Sequence, residues 1–313
     1  MSDAPLSVWC LLDGKPGHQN QVLGLGDALQ QVVPDCVSTD VPVPGVWDCL
    51  RGDVRKIAGD APLPDVVIGA GHRSHFPLIL LARRFQAKSV VLMKPTCPLK
   101  WFDFALIPTV HHLSVVPLHV LETVGVLNRI RPAEEKQPGT GLCLIGGPSP
   151  HYHWNGEQIV QQLQTVAKDS SVDWKIVTSR RTPDAAIQEI QRQLPDVDIV
   201  LPADVPAGWL AKTLPACEQV WVSQDSVSML YEALTSGSRV GVLELERVKS
   251  NRVTECADDL VYSGRVMLWS EWKDAGALPE PTSDFCEADR SARWLLKQLA
   301  QKQLDDENGR QAA

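Results

Sequence analysis

Short apolar runs alternate with longer amphipathic stretches along this chain, and that alternation restricts the fold more than any other feature. Val8–Leu12, Asp65–Ile68, Ser89–Met93, Ala105–Ile107 and His119–Leu121 predict strands in the first half, with helical spacing over Gln19–Gln31 and Ser74–Gln86. In the second of those helices Phe76, Ile79, Leu80 and Phe85 share one broad face. Strand and helix in alternation predict a mainly parallel sheet covered on both faces. The polar, Pro- and Gly-rich Arg131–Gly141 then predicts a linker. Beyond it the alternation restarts, with strands at Leu142–Ile145, Trp174–Thr178, Ile199–Leu201, Gln219–Val222 and Val240–Leu243. Helices are expected near Asn155–Lys168, Pro183–Gln193 and Asp225–Thr235. The expectation is two α/β domains of similar build in tandem, residues 1–134 and 139–285, followed by 286–313 as a helix (Ala288–Gln303) and a polar tail.

Composition narrows the class of partner. A length of 313 residues allows two domains with their own cores, and 44% hydrophobic with 22% charged residues is a globular balance. The net charge of −8 argues against nucleic acid as the main partner. Eight cysteines are scattered without a C-x-x-C pair, and several sit inside apolar runs, which reads as buried small residues in a reducing cytoplasm. No zinc spacing, secretory signal or apolar run of about 20 residues is present in the sequence, so a soluble protein is expected.

The chemistry-bearing residues gather where predicted strands end. Asp13-Gly14-Lys15-Pro16-Gly17-His18 joins the first strand to a helix, a place where ligands meet unpaired N–H groups. His72, Arg73 and Ser74 crowd the next strand end, facing ligand or, for Ser74, capping a helix; Lys94 is placed alike, as a ligand contact or an ordinary exposed lysine. In the second half Gly146-Gly147-Pro148-Ser149 has the make-up of an anion nest or of a plain turn. Thr178-Ser179-Arg180-Arg181-Thr182-Pro183 suits either an anion or an N-cap by Thr182 with solvated arginines. Ser223-Gln224-Asp225-Ser226 leads into a helix carrying Ser228, Met229 and Glu232. Ser226 and Ser228 sit where a helix start favours phosphate, and Glu232 shares their face and can accept both hydroxyls of a ribose or stand solvated.

Together DGKPGHQNQ, IGAGHRSHFPLILLARR, VVLMKP, LIGGPSPHYHW, TSRRTP, WVSQDSVSMLYEALTSG and GVLELE resemble the mitochondrial-fission Elm-type family, whose bacterial members are regarded as glycosyltransferases. These motifs run from Leu12 to Asn251. More distantly the chain is similar to the GT-B superfamily, especially the peptidoglycan N-acetylglucosaminyl transferase. Gly17-His18, Gly69–Ser74 and Glu232 stand where that enzyme has two Gly-rich loops and a ribose-binding glutamate. The resemblance implies two Rossmann-like domains with a cleft between them. It places acceptor on the first (Gly14, Lys15, Gly17, His72, Arg73, Ser74, Lys94) and a nucleotide-sugar donor on the second. The donor residues would be Gly146, Gly147, Ser149, Ser179, Arg180, Arg181, Ser223, Asp225, Ser226, Ser228, Met229 and Glu232, with the last helix crossing back to brace the first domain. Departures are Lys15-Pro16 for small residues in the first loop and Asp225-Ser226 where Gly is usual, so the acceptor does not transfer by analogy.

Sugar transfer needs a base for the acceptor hydroxyl and stabilisation of a departing diphosphate. The only Asp-x-Asp, Asp196-Val197-Asp198, runs into the start of a strand, the wrong end for a metal–diphosphate site, so no metal and no cofactor are expected. Eight positions beyond Glu232 stands Val240, so the paired glutamates of retaining enzymes are missing. His18 is then the candidate base of an inverting reaction, with Asp13 holding the imidazole or acting itself; the plain alternative is a histidine that only hydrogen-bonds its loop. Two other functions stay open: a nucleotide-sugar epimerase with Asp13 or Asp103 as second acid/base group, and a non-catalytic nucleotide-binding scaffold. A membrane-associated glycan or lipid acceptor would bring peripheral membrane contact, through Phe76–Leu81 and Trp101-Phe102 unless these are core.

Overall fold

The computed structural model describes residues 5–206, 208–282 and 285–311, and side chains of the last helix as far as Lys302. The chain divides into two compact units, residues 1–129 with 287–313 and residues 130–286. The first contains β1 (Ser7–Leu12), α1 (Pro16–Val32), β2 (Val37–Pro42), α2 (Val46–Arg51), α3 (Val54–Ala58) and β3 (Val66–Ala70). It continues with α4 (His72–Phe85), β4 (Lys88–Leu92), β5 (Phe104–Pro108) and β6 (Val120–Thr123). Its six strands are parallel in the order β2-β1-β3-β4-β5-β6.

The second unit holds β7 (Gln137–Ile145), β8 (Tyr152–His153), α5 (Gly156–Val166), β9 (Asp173–Thr178), α6 (Asp184–Gln193), β10 (Asp198–Val200) and α7 (Trp209–Thr213). It goes on through β11 (Cys217–Ser223), α8 (Val227–Thr235), β12 (Arg239–Leu243), β13 (Glu246–Arg247), α9 (Arg252–Tyr262), β14 (Met267–Leu268) and α10 (Trp269–Ala275). Its main sheet is again six-stranded and parallel, in the order β10-β9-β7-β11-β12-β14, while β8 and β13 form a small antiparallel pair. The last helix, α11 (Glu287–Gln311), belongs to the first unit.

Period-two burial explains the sandwich. Along β1, Val8 and Cys10 enter one core with Val22, Leu25 and Leu29 of α1, while Trp9 and Leu11 enter the opposite core with Leu78 and Leu81 of α4. Ala288, Ala292 and Leu295 of α11 complete the core on the α1 side. The second sheet buries Cys143, Ile145, Ile176 and Trp221 against Ile159 and Leu163 of α5. Six of the eight cysteines are buried and all eight are free thiols.

Some sequence expectations change. Gln137–Gly141, read as linker, is the first half of β7, and the last helix runs on to Gln311. β2 was not predicted, because an edge strand reading VSTDVP has one buried residue and no apolar run. Leu78, Ile79, Leu81 and Phe102 are core, leaving Phe76 and Trp101 as the exposed members of the proposed membrane-facing stretches. Among the described residues no helix is long and apolar enough to cross a membrane.

Both sheets reverse their direction of growth once. In the first, the chain goes from β1 outward to β2, then returns to β3 on the other side of β1. In the second, it leaves β7 for β9 and β10 and returns to β11. Loops leaving the carboxyl ends of two such neighbours diverge and open a crevice for ligands. The β1/β3 and β7/β11 pairs are those places, and both carry the residues singled out above.

Candidate functional site

In the first unit Asp13 follows β1 directly, with its side chain 1% exposed. Its Oδ1 accepts the Lys15 N–H at 3.0 Å, and its Oδ2 lies 2.8 Å from Nδ1 of His18 in the first turn of α1. Burial pushes the Asp13 carboxyl up, but the hydrogen bonds from His18 and Lys15 outweigh it and hold the group below its ordinary value. An ionised carboxylate only accepts, so Nδ1 carries a proton, and in the neutral imidazole the lone pair is then on Nε2. The His18 side chain is 22% exposed, enough for that lone pair to meet a ligand.

The imidazole leans on Gly71, in the turn from β3 to α4, which brings the second arm of the crevice against the first. His72 and Arg73 follow, both exposed. His75, one turn on, is buried beside Phe102 with Nδ1 3.4 Å from Thr96 Oγ1. Burial, then the neighbouring His72 and His18, hold it below the ordinary histidine value. Gly14, Lys15 and Gly17 are exposed, and a Cβ on either glycine would meet nothing within 4 Å, so the space over the start of α1 is open. Lys94 is exposed just beyond β4. Ser74 departs from its expected role: it is fully buried, and its hydroxyl donates to the Gly71 carbonyl at 2.8 Å, shaping the turn rather than facing a ligand. Two neighbours went unnoticed in the sequence. Met93 follows β4 with φ 68, and the buried Gln21 reaches its Sδ at 3.4 Å.

In the second unit the loops after β7, β9 and β11 close on one another. The Gly146 N–H donates to Ser223 Oγ at 2.7 Å, and that hydroxyl donates to Asp225 Oδ1 at 2.7 Å. The Gly147 N–H donates to Asp225 Oδ2 at 3.0 Å. Arg181 pairs with the same oxygen at 2.8 Å and donates to the Gly147 and Pro148 carbonyls. Ser179 Oγ donates to the Gly146 carbonyl at 2.9 Å, and Thr182 Oγ1 reaches the carbonyls of Ile145 and Gly146. A Cβ on Gly146 would fall 2.1 Å from Asp225 Oδ2, and one on Gly147 2.1 Å from the Arg181 carbonyl oxygen. Close approach of these loops, not of a phosphate, is what requires the two glycines.

This corrects two expectations. The amides expected to form an open anion nest at Gly146-Gly147 are taken by Ser223 and Asp225. Thr182 does not cap α6, whose N-cap is Pro183. Ser149 accepts the His151 N–H within its own loop at 3.3 Å. What faces outward is Arg180, exposed. Ser226, the N-cap of α8, is buried and makes no side-chain cap bond. Ser228 is exposed, and Met229 and Glu232 are half-buried on that helix. Tyr152, which stands between His151 and His153, is 2% exposed with its hydroxyl unpartnered among the described residues, and no motif in the sequence marks it. Burial pushes it up to about 12. Among the described residues no group of three His, Cys, Asp or Glu side chains is placed to hold a metal.

Two Rossmann-like parallel sheets, each with its chemistry-bearing loops at the switch point, define a GT-B-type α/β fold. The chain belongs to the mitochondrial fission ELM1 family, whose model matches residues 16–299. It is similar in structure to a Listeria monocytogenes protein described as a UDP-N-acetylglucosamine 2-epimerase (TM-score 0.58, 14% identity, 92% of this chain and 95% of that one). It is also similar to the UDP-GlcNAc 2-epimerase of Methanocaldococcus jannaschii (TM-score 0.55, 13% identity, 93% and 100% covered). A third likeness is to the glycotransferase of kitacinnamycin (TM-score 0.52, 14% identity, 94% and 99% covered). No curated protein matches the sequence. At these identities the likeness is one of fold.

Proposed function

We propose that this protein is an inverting, metal-independent glycosyltransferase, with His18 as general base and a nucleoside-diphosphate sugar as donor. The observation that supports it most is the His18–Asp13 pair at the β1/β3 switch point, with Nδ1 held by an ionised carboxylate so that Nε2 is the nitrogen turned to a ligand. In the reaction the acceptor hydroxyl oxygen attacks the anomeric carbon as its proton passes to Nε2. The bond from that carbon to the diphosphate breaks, and the electron pair leaves with the phosphate oxygen. Asp13 then stabilises the imidazolium, the role of a carboxylate behind a histidine base.

Donor binding falls to the second unit. The free N–H groups at the start of α8 and the guanidinium of Arg180 supply positive potential for the diphosphate, with Ser226 and Ser228 hydroxyls beside them. Arg181 adds to this once phosphate competes with Asp225 for it. Glu232, one turn beyond Ser228 on α8, receives the ribose hydroxyls. The acceptor lies over the start of α1 near Lys15, Gly17, His72, Arg73 and Lys94.

An epimerase needs a second acid/base group near His18. Asp103 precedes β5, at the edge of the sheet away from the loop after β1, and is bonded to Ser89 and Lys302. Asp13 is committed to His18 itself. Both facts favour transfer over epimerisation. A thermal-shift panel of UDP, GDP, ADP, dTDP and CMP with their common sugars, on wild type, Glu232→Ala and His18→Ala, tests the proposal. One diphosphate should stabilise wild type and His18→Ala, by about 2.7 kcal/mol at a hundredfold excess over Kd, but not Glu232→Ala. Stabilisation by none of them sinks the donor assignment. Unchanged turnover in His18→Ala, once an acceptor is found, sinks the base.

A further inference from the structure

The first unit carries a second concave feature that the proposed reaction does not use, a hollow of about 720 Å³. Its wall includes Lys88 and Ser89 at the start of β4, Asp103 just before β5 and His119 just before β6. In a parallel sheet all strand starts share one edge, so the hollow lies at the edge opposite the Asp13–His18 loop.

Four cations line it, Arg83, Lys88, Lys100 and Lys302, against one carboxylate, Asp103. That carboxylate is already occupied: it accepts from the Ser89 N–H at 3.0 Å, from Ser89 Oγ at 2.8 Å and from Lys302 Nζ at 3.3 Å. Among the described residues Arg83, Lys88 and Lys100 have no carboxylate within ion-pair distance. A basic end to α4 is explained by the helix dipole, but Arg84 meets that need while lying over Gly52. Lys88 and Lys100 are not on that helix at all. Among the described residues Nε2 of His119 is buried without a partner, and Trp101, 42% exposed, gives the hollow an aromatic wall. Unpaired like charges gathered round one hollow repel each other unless an anion joins them, and guanidinium with ammonium groups is a phosphate-binding set. The volume exceeds what a lone phosphate fills and lies within the usual span of organic-ligand sites, roughly 300–1,000 Å³.

We propose that this hollow binds a phosphate-bearing organic ligand, with the phosphate among Arg83, Lys88 and Lys100 and the rest of the molecule against Trp101. The ligand is either a soluble phosphate ester or the headgroup of an anionic lipid. Two probes separate these sources on the full chain: titration calorimetry with glycerol 3-phosphate, and co-sedimentation with phosphatidylcholine vesicles with and without phosphatidic acid. The expected result is binding to glycerol 3-phosphate, to the phosphatidic acid vesicles or to both. Arg83→Ala with Lys100→Ala should weaken it about tenfold or more, and Lys100→Arg should keep it. Lys100 is exposed and unpaired, so Lys100→Glu alone gives a folded control that should lose binding as well. Binding of neither probe, equal sedimentation with phosphatidylcholine alone, or variants that bind like wild type would overturn the assignment. Asp13→Asn, at the opposite edge, should leave either binding unchanged.

Discussion

A Cβ atom on Gly71 would lie 2.3 Å from Cε1 and 2.4 Å from Nδ1 of His18, so the imidazole fills the space that any larger residue at position 71 would claim. Gly71 also has φ 81, a region costly for other residues. Gly71→Ala should therefore displace His18 and destabilise the protein by about 1–3 kcal/mol, with a rate loss on the order of a hundredfold. Gly17 provides the contrast. It sits in the first turn of α1 with nothing near its Cβ position, so Gly17→Ala should add about 0.4–1 kcal/mol. Thermal unfolding of the two variants checks the pair, and equal effects would contradict it.

Asp13→Asn keeps the shape of the loop but removes the charge that orients His18. Under the proposed mechanism kcat should fall by roughly four orders of magnitude, as for a carboxylate behind a histidine base, with donor binding intact. Stability gives an independent check. Because the folded carboxyl is held below its unfolded value, its contribution is complete above about pH 4 and is lost as pH falls through the folded value. Wild type should lose stability on acidification below about pH 4 more steeply than Asp13→Asn. Parallel denaturation curves at pH 5 and pH 3 would contradict that.

Asp225 ties three loops together through Gly147, Ser223 and Arg181. Asp225→Ala strands a buried N–H and leaves Arg181 without its carboxylate, a cost of about 1–3 kcal/mol. Gly146→Ala should do comparable damage by pushing Asp225 out. A second-unit Tm unchanged in both variants, measured by calorimetry, would show that the three loops do not depend on this carboxylate.

Lys136 donates to the carbonyls of Pro215 at 2.7 Å and Ser236 at 2.6 Å, the latter at the end of α8. Burial pushes it down to about 8 from 10.5. Between those values the unfolded chain binds more protons than the folded one, so this group makes stability rise as pH rises from about 8 towards 10.5. The stability of wild type relative to Lys136→Met should increase over that interval. A flat or falling difference in urea titrations would count against a strained, buried ammonium.

Strands at the centre of each sheet were legible because burial on both faces demands uninterrupted apolar runs such as VWCLL and VWV. The edge strands β2 and β14 and the short helices α2 and α3 were not, since their sequences carry too few buried residues to show a period, whereas the edge strands β6 and β10 were read from short apolar runs. At the candidate site, the position of His18 and Asp13 at one strand end followed from local sequence. The grip of Asp225 on Gly146 and Gly147 did not, because it joins residues nearly eighty positions apart and depends on which strands are neighbours. Arg181 and Thr182 look alike as phosphate ligands and as loop braces until those neighbours are known.

The placement of α11 has a consequence for how the protein is made. Its Ala288, Ala292 and Leu295 complete a core begun by Val8 and Val22, so the first unit is written in two pieces around the second. During synthesis residues 130–286 emerge whole and can close their core while the earlier sheet still lacks a wall. Birth order and folding order are thus reversed. A ribosome stalled between the two events would hold a finished inner unit beside an open outer one, with apolar surface on show to chaperones and proteases.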